Sequence, residues 1–209
     1  MQLVRNKLTY LALGDSYSIG EAVDQAQSFP FQLAEQMRIW ELDVDTPQVI
    51  AKTGWTTSEL LDAIKGSNIT STFSLVTLLI GVNNQYRGES QEVYQQEFKE
   101  LLEIALQYAG GIKEHVFVVS IPDWGITPYG KDSGRDQVRI GFEIDELNRI
   151  NKKISAAGGV CYTDITPASR LAGTDLSLVA SDGLHPSEKM YLVWASRLAE
   201  LTARVFQAV

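Results

Sequence analysis

Residues 8–20 read Leu8-Thr9-Tyr10-Leu11-Ala12-Leu13-Gly14-Asp15-Ser16-Tyr17-Ser18-Ile19-Gly20. The first six are mostly apolar and read as a buried strand. Gly14, Asp15 and Ser16 then break the run with small and polar residues, so Ser16 falls at the carboxyl end of that strand. The same unit recurs along the chain. Apolar runs at 46–51, 73–80, 116–121 and 160–162 alternate with segments of helical period at 31–40, 59–64, 91–108 and 137–157. A last helix over about 186–206 places Met190, Trp194, Leu198, Leu201 and Val205 on one stripe, at spacings of 4, 4, 3 and 4. Such alternation predicts an α/β fold, a doubly wound, five-stranded parallel sheet covered on both faces as a three-layer αβα sandwich. No linker or internal repeat interrupts residues 1–209, which read as one domain. Thr56-x-x-Glu59 has the form of a capping box, and Pro186 stands near a helix start.

Folds of this kind gather chemistry in the loops beyond the carboxyl ends of their strands. Three such loops, 14–20, 52–58 and 81–88, are rich in small and polar residues, and a fourth, 181–187, precedes the last helix.

Composition narrows the chemistry. The 209 residues carry a net charge of −8, which argues against nucleic acid, because neutralising phosphates needs a basic face. A single cysteine, Cys161, allows no internal disulfide and no cysteine-rich zinc site, and two histidines in all exclude a histidine-rich metal site. No apolar run approaches the ~20 residues that span a bilayer, so no stable membrane insertion is expected. The stretch before Ser16 lacks the apolar core of a signal peptide. The expected location is cytoplasmic, although a leader already removed would leave no trace.

A serine hydroxyl attacks well only when a base takes its proton, and imidazole suits that work near neutral pH. His115, beside Lys113 and Glu114, reads as a partly exposed residue at the mouth of a strand. His185 lies in Ser181-Asp182-Gly183-Leu184-His185-Pro186, where Asp182 can curl round and hold the imidazole. Taken alone, that turn reads equally as a polar helix start, and Gly14-Asp15-Ser16 equally as a capping turn. Ser18 is a rival nucleophile that fits no wider pattern. Gly54 offers a backbone N–H that a ligand can approach closely, and Asn83 and Asn84 bring uncharged amide donors to the mouth of the third strand. Trp55, Tyr86 and Trp124 could line an apolar wall for substrate or pack in the core.

Together, Gly-Asp-Ser after strand one, Gly54 after strand two, Gly81-Val82-Asn83 after strand three and Asp182-x-x-His185 before the last helix resemble the four blocks of the SGNH hydrolases, the GDSL-type esterases and lipases. The resemblance runs from Gly14 to His185 in the family's order. It implies a flavodoxin-like sandwich and a carboxylic ester hydrolase with Ser16 as nucleophile, His185 as base and Asp182 orienting it. It further implies an oxyanion hole of the Ser16 N–H, the Gly54 N–H and the Asn83 amide, with no metal or organic cofactor. Short-chain acyl esters, lysophospholipids, thioesters and acetylated sugars all stay open as substrates. Two positions depart from the pattern. Tyr17 stands where the family has leucine, leaving the nucleophile untouched, and Asn84 stands where it more often has aspartate, which puts the support of that loop in question.

Two other readings compete. Gly125-Ile126-Thr127-Pro128-Tyr129-Gly130-Lys131-Asp132 nearly spells a phosphate-binding loop, but Asp132 would repel phosphate and replaces the hydroxyl that magnesium needs. That stretch reads instead as part of a long loop over 122–135, either lining the cleft with Trp124 and Tyr129 or lying at the surface with one anchored aromatic. The second alternative is a catalytically silent ligand-binding module on the same fold, against which the intact Ser16, Asp182 and His185 argue.

Overall fold

The computed structural model describes residues 7–207. The N-terminal residues read above for a leader lie partly outside that range. Five strands, β1 (Tyr10–Asp15), β2 (Gln48–Lys52), β3 (Leu75–Leu79), β4 (Val116–Val119) and β5 (Cys161–Thr163), form one parallel sheet in the order β2-β1-β3-β4-β5. Nine α-helices accompany them among the described residues. They are α1 (Ser16–Ile19), α2 (Phe29–Ile39), α3 (Thr57–Gly66), α4 (Val82–Arg87), α5 (Gln91–Tyr108), α6 (Pro128–Asp132), α7 (Gln137–Gly158), α8 (Thr166–Ser169) and α9 (Glu188–Phe206). Helices α2 and α9 pack together, and α3, α5 and α7 form a second packed group, so helices cover both sides of the sheet. None of the helices is long and apolar enough to cross a membrane.

Strand β1 is buried at every position because it is central, with Gly14 paired to Ala51 of β2 on one side and Leu79 of β3 on the other. Burying a side chain such as Leu11 or Leu13 contributes about 1.5–3 kcal/mol. The edge strands β2 and β5 are only partly buried. The chain leaves β1 toward β2 and then crosses to β3, so the order reverses at β1. The loops after β1 and β3 therefore diverge and open a crevice at the carboxyl edge.

The anticipated strands and longer helices are all present, with shifted ends. Strand β1 runs to Asp15 rather than Leu13 because its ladder with β2 continues to the pair Asp15 and Lys52. The Thr56 capping box forms, with Glu59 Oε2 accepting from Thr56 N at 2.9 Å, so α3 begins at Thr57. The last helix begins at Glu188, not Pro186. Ser187 caps it, and Pro186 is extended in a bridge to Val179. The buried face of α9 pairs Met190 with Tyr191, Trp194 with Ala195 and Leu198 with Ala199, then drifts to Thr202 and Ala203, leaving Leu201 and Val205 at its margin. A 3.6-residue turn moves a stripe of fours steadily round the helix. Segments 81–88 and 125–132, read as loops, each hold a short helix, α4 behind Gly81 and α6 behind Thr127.

Candidate active site

Strand β1 ends in a sharp turn. Asp15 is extended, and its Oδ1 accepts from Tyr17 N at 3.0 Å, capping α1. Ser16 is thus the first residue of a helix, whose N–H has no intrahelical acceptor. A Cβ on Gly14 would meet Ser18 Oγ at 2.0 Å and Leu79 O at 2.4 Å, so only glycine lets the turn close onto β3. The same packing distinguishes the two serines. Ser18 is wholly buried under Gly14, closed to any substrate, whereas Ser16 keeps 4% exposure at the turn. Asp15 is fully buried, its Oδ2 has no hydrogen-bond partner among the described residues, and burial pushes its carboxyl up to about 7 against the Tyr17 hydrogen bond.

The loops after β2 and β3 are tied to each other. Gly54 lies in the left-handed region at φ +84°, its carbonyl held by Arg87 Nη2 at 2.5 Å. Asn83, in the first turn of α4, donates from Nδ2 to Trp55 O at 2.9 Å, which fixes the amide and leaves its second N–H to point elsewhere. Gly81 at φ +134° admits Tyr94, whose Oη would lie 2.5 Å from a Cβ there. Asn84 is buried and turned away from the cleft. Its Oδ1 accepts from Thr57 N, and its Nδ2 donates at 2.7 Å to both Thr57 Oγ1 and Glu89 Oε2. The amide thereby pins the start of α3 to α4, and a carboxylate in its place would face that of Glu89.

The fourth loop is closed by one carboxylate. Asp182 Oδ1 accepts from Leu184 N at 2.9 Å and His185 N at 3.0 Å, and Oδ2 lies 2.5 Å from His185 Nδ1. Gly183, at φ +73°, turns the chain, and its carbonyl accepts from Tyr129 N at 2.9 Å. Burial alone would push the Asp182 carboxyl up, but the bonds from the imidazole and the two N–H groups outweigh it and hold it below its usual range. With Nδ1 engaged, Nε2 is the nitrogen left for chemistry. The imidazole is 6% exposed and meets the first loop through Tyr17, whose ring centroid is 5.1 Å away. No hydrogen bond joins Ser16 to His185 among the described residues. His115 lies at the opposite edge of the sheet, in the turn before β4, with its ring 4.9 Å from Phe206.

The aromatic residues divide. Tyr86 is exposed, and its hydroxyl meets that of Tyr129 at 3.1 Å, linking α4 to α6. The Arg135 guanidinium lies 4.1 Å over the Tyr86 ring and donates to Tyr86 O at 2.8 Å. Trp124 is only 2% exposed. Its Nε1 donates to Gln85 Oε1, and it borders a void of about 20 Å³ shared with His185 and Tyr17. It backs Tyr86 at 5.3 Å rather than presenting a face of its own. Trp55 is half-buried against the core. Arg135 and the Tyr17 contact escaped the sequence reading, since nothing local signals partners 49 or 168 positions away. A larger groove, about 980 Å³, between α7, β5 and α9, holds none of these residues. In the segment resembling a phosphate loop, a Cβ on Gly130 would meet Trp124 O and Gly125 O at 2.4 and 2.5 Å, so that glycine serves packing. No group of three or more metal-ligating side chains occurs among the described residues.

A sequence model of the GDSL-like lipase/acylhydrolase family matches residues 12–193, and the chain belongs to that family. Solved structures agree on the fold. A lipase/acylhydrolase from Enterococcus faecalis superposes with a TM-score of 0.72 at 18% identity, covering 94% of this chain and 96% of that one. The esterase EstA from Pseudoalteromonas sp., inhibited by monoethylphosphonate, gives 0.70 at 16% identity over 95% and 98%. An acetyl xylan esterase from Geobacillus stearothermophilus, Axe2, gives 0.66 at 17% identity over 93% and 94%. No curated protein matches the sequence.

Proposed function

We propose that this protein is a serine esterase that cleaves carboxylic esters through an acyl-enzyme on Ser16. The observation that carries the reading is the Asp182–His185 turn. One carboxylate holds two backbone N–H groups and Nδ1 of a buried imidazole, whose ring packs on Tyr17 in the strand-to-helix turn that begins with Ser16. In the first half-reaction His185 Nε2 takes the Ser16 proton as Oγ bonds to the ester carbonyl carbon. The oxyanion is met by the N–H groups of Ser16 and Gly54 and by Asn83 Nδ2. His185 then gives its proton to the leaving alcohol, and the ester C–O bond breaks. Water repeats the sequence on the acyl-enzyme and releases the acid. The mechanism requires an Oγ–Nε2 hydrogen bond to form when substrate arrives, since catalytic hydrogen bonds are commonly made only in the complex.

The substrate is a small ester. Tyr86 and Tyr129, backed by Trp124, offer an aromatic wall that suits short acyl esters, lysophospholipids, thioesters or acetylated sugars. Structures that share the fold and are described as a lipase/acylhydrolase and an acetyl xylan esterase make acyl esters and acetylated sugars the first classes to try. A panel of p-nitrophenyl esters from acetate to decanoate tests the activity and ranks chain length. Ser16→Ala should abolish turnover by up to about 10⁶-fold, and Asn83→Ala should cost on the order of 10²–10³ in kcat. A folded wild-type protein that turns over none of these esters would favour the ligand-binding alternative instead.

A further inference from the structure

We propose that Tyr17, the residue after the nucleophile, is a positioning residue that steadies the protonated imidazole of His185. The proposal rests on reading His185 as the base. The Tyr17 and His185 rings lie 5.1 Å apart with planes at 53°, and the two residues are 3% and 6% exposed, so little water shields one from the other. The groups around the imidazole come from several parts of the chain. Asp182 holds Nδ1 from its own turn, and Tyr17 approaches from α1 with Asp15 beneath it. Asp123 and Trp124, from the segment after β4, and Met190 and Trp194, from α9, border the void they share with His185. Asp123 is itself neutralised by Arg170 Nε at 2.9 Å.

Tyr17 cannot act by ionising. Burial, and then the Asp15, Asp182 and Asp123 carboxylates, hold its phenol well above its ordinary range. What it presents is a neutral ring whose electron-rich face attracts a cation, and such contacts strengthen when desolvated. During turnover the neutral imidazole becomes a cation when it takes the serine proton, so the contact favours the transition state over the neutral resting enzyme. The backbone placement is suited to this. Asp15 captures the Tyr17 N–H, which sets the ring and the Ser16 hydroxyl from one short turn. A leucine at 17 could fill the space but would offer no such face.

The test compares Tyr17→Leu and Tyr17→Phe with wild type and with His185→Ala. Tyr17→Leu should lower kcat about 2- to 30-fold with KM nearly unchanged. It should also move the acid limb of the kcat/KM profile to lower pH, since an imidazolium that loses stabilisation gives up its proton sooner. Tyr17→Phe should keep both at the wild-type level. A second readout needs no substrate. The chain has two histidines, so ¹³C-edited NMR can follow each ring, and Tyr17→Leu should lower the titration midpoint of His185 while leaving His115 unmoved. Should Tyr17→Leu not fold, Tyr17→Met serves in its place. A wild-type midpoint and kcat in these aliphatic variants would overturn the proposal, as would a Phe variant as impaired as they are. An active His185→Ala would instead overturn the assignment of the base, which keeps the two failures apart.

Discussion

Two aspartates flank the candidate nucleophile, and their surroundings drive them in opposite directions. Asp182 accepts three hydrogen bonds, remains partly exposed and is held below the usual carboxylate range. Asp15 accepts one bond, is sealed under α1, and is pushed up to about 7. The difference teaches that proximity to the site does not decide a carboxyl's charge. The number of donors set against the cost of burial decides it. It also separates two settings, one carboxylate bonded to an imidazole and one carboxyl closing a turn.

The contrast can be broken most sharply at Asp182. Asp182→Asn keeps an oxygen for the Leu184 and His185 N–H groups but turns an amide N–H toward Nδ1, favouring the wrong tautomer. Ester turnover should fall about 10⁴-fold, as in a comparable triad, with the fold intact by circular dichroism. A fall of less than about tenfold would mean that charge at 182 is unimportant.

Asp15→Asn probes the other side through stability. A carboxyl whose folded-state value is raised from 3.8 to about 7 binds more protons folded than unfolded, so its contribution is full below pH 4 and is lost as pH rises through 7. Asp182 has the opposite sign, its contribution being present above its unfolded value and lost as pH falls through the lowered folded one. Asn at 15 still caps Tyr17 N and carries no charge. The variant should therefore be more stable than wild type at pH 8, by up to roughly 4 kcal/mol, and equal to it near pH 4. Urea melts at the two pH values check this, and an equal difference at both would contradict the buried-carboxyl account.

The smallest effect is expected at Asn84. Asn84→Asp sets a carboxylate against Glu89 and removes the donor to Thr57, costing about 1–3 kcal/mol at pH 7 and less at pH 4, where one carboxyl can take a proton. A thermal melt that shows no loss at pH 7 would mean the Asn84 contacts are idle.

Much of this was legible in the sequence because it is local. The Thr56 capping box and the Asp182-x-x-His185 turn are each closed by residues within a few positions of one another, and each strand shows itself as a run of neighbouring apolar residues although its ladder partners are distant. Short α4 and α6 were not legible, since Asn83-Asn84-Gln85 and Pro128-Tyr129-Gly130 have turn composition and become helical only when Gly81 and the Thr127 hydroxyl cap them. Trp124 was ambiguous for a different reason. An indole serves core and cleft alike, and the Gln85 bond that buries its edge comes from 39 residues away. Tyr17 looked like a neutral departure because its partner lies across the fold.

The most direct test is covalent. A fluorophosphonate probe, followed by intact mass and peptide mapping, should place one adduct on Ser16. Labelling should vanish in Ser16→Ala and slow by orders of magnitude in His185→Ala. An adduct on another residue, or equal labelling rates in wild type and His185→Ala, would contradict the serine–imidazole pairing on which the account stands.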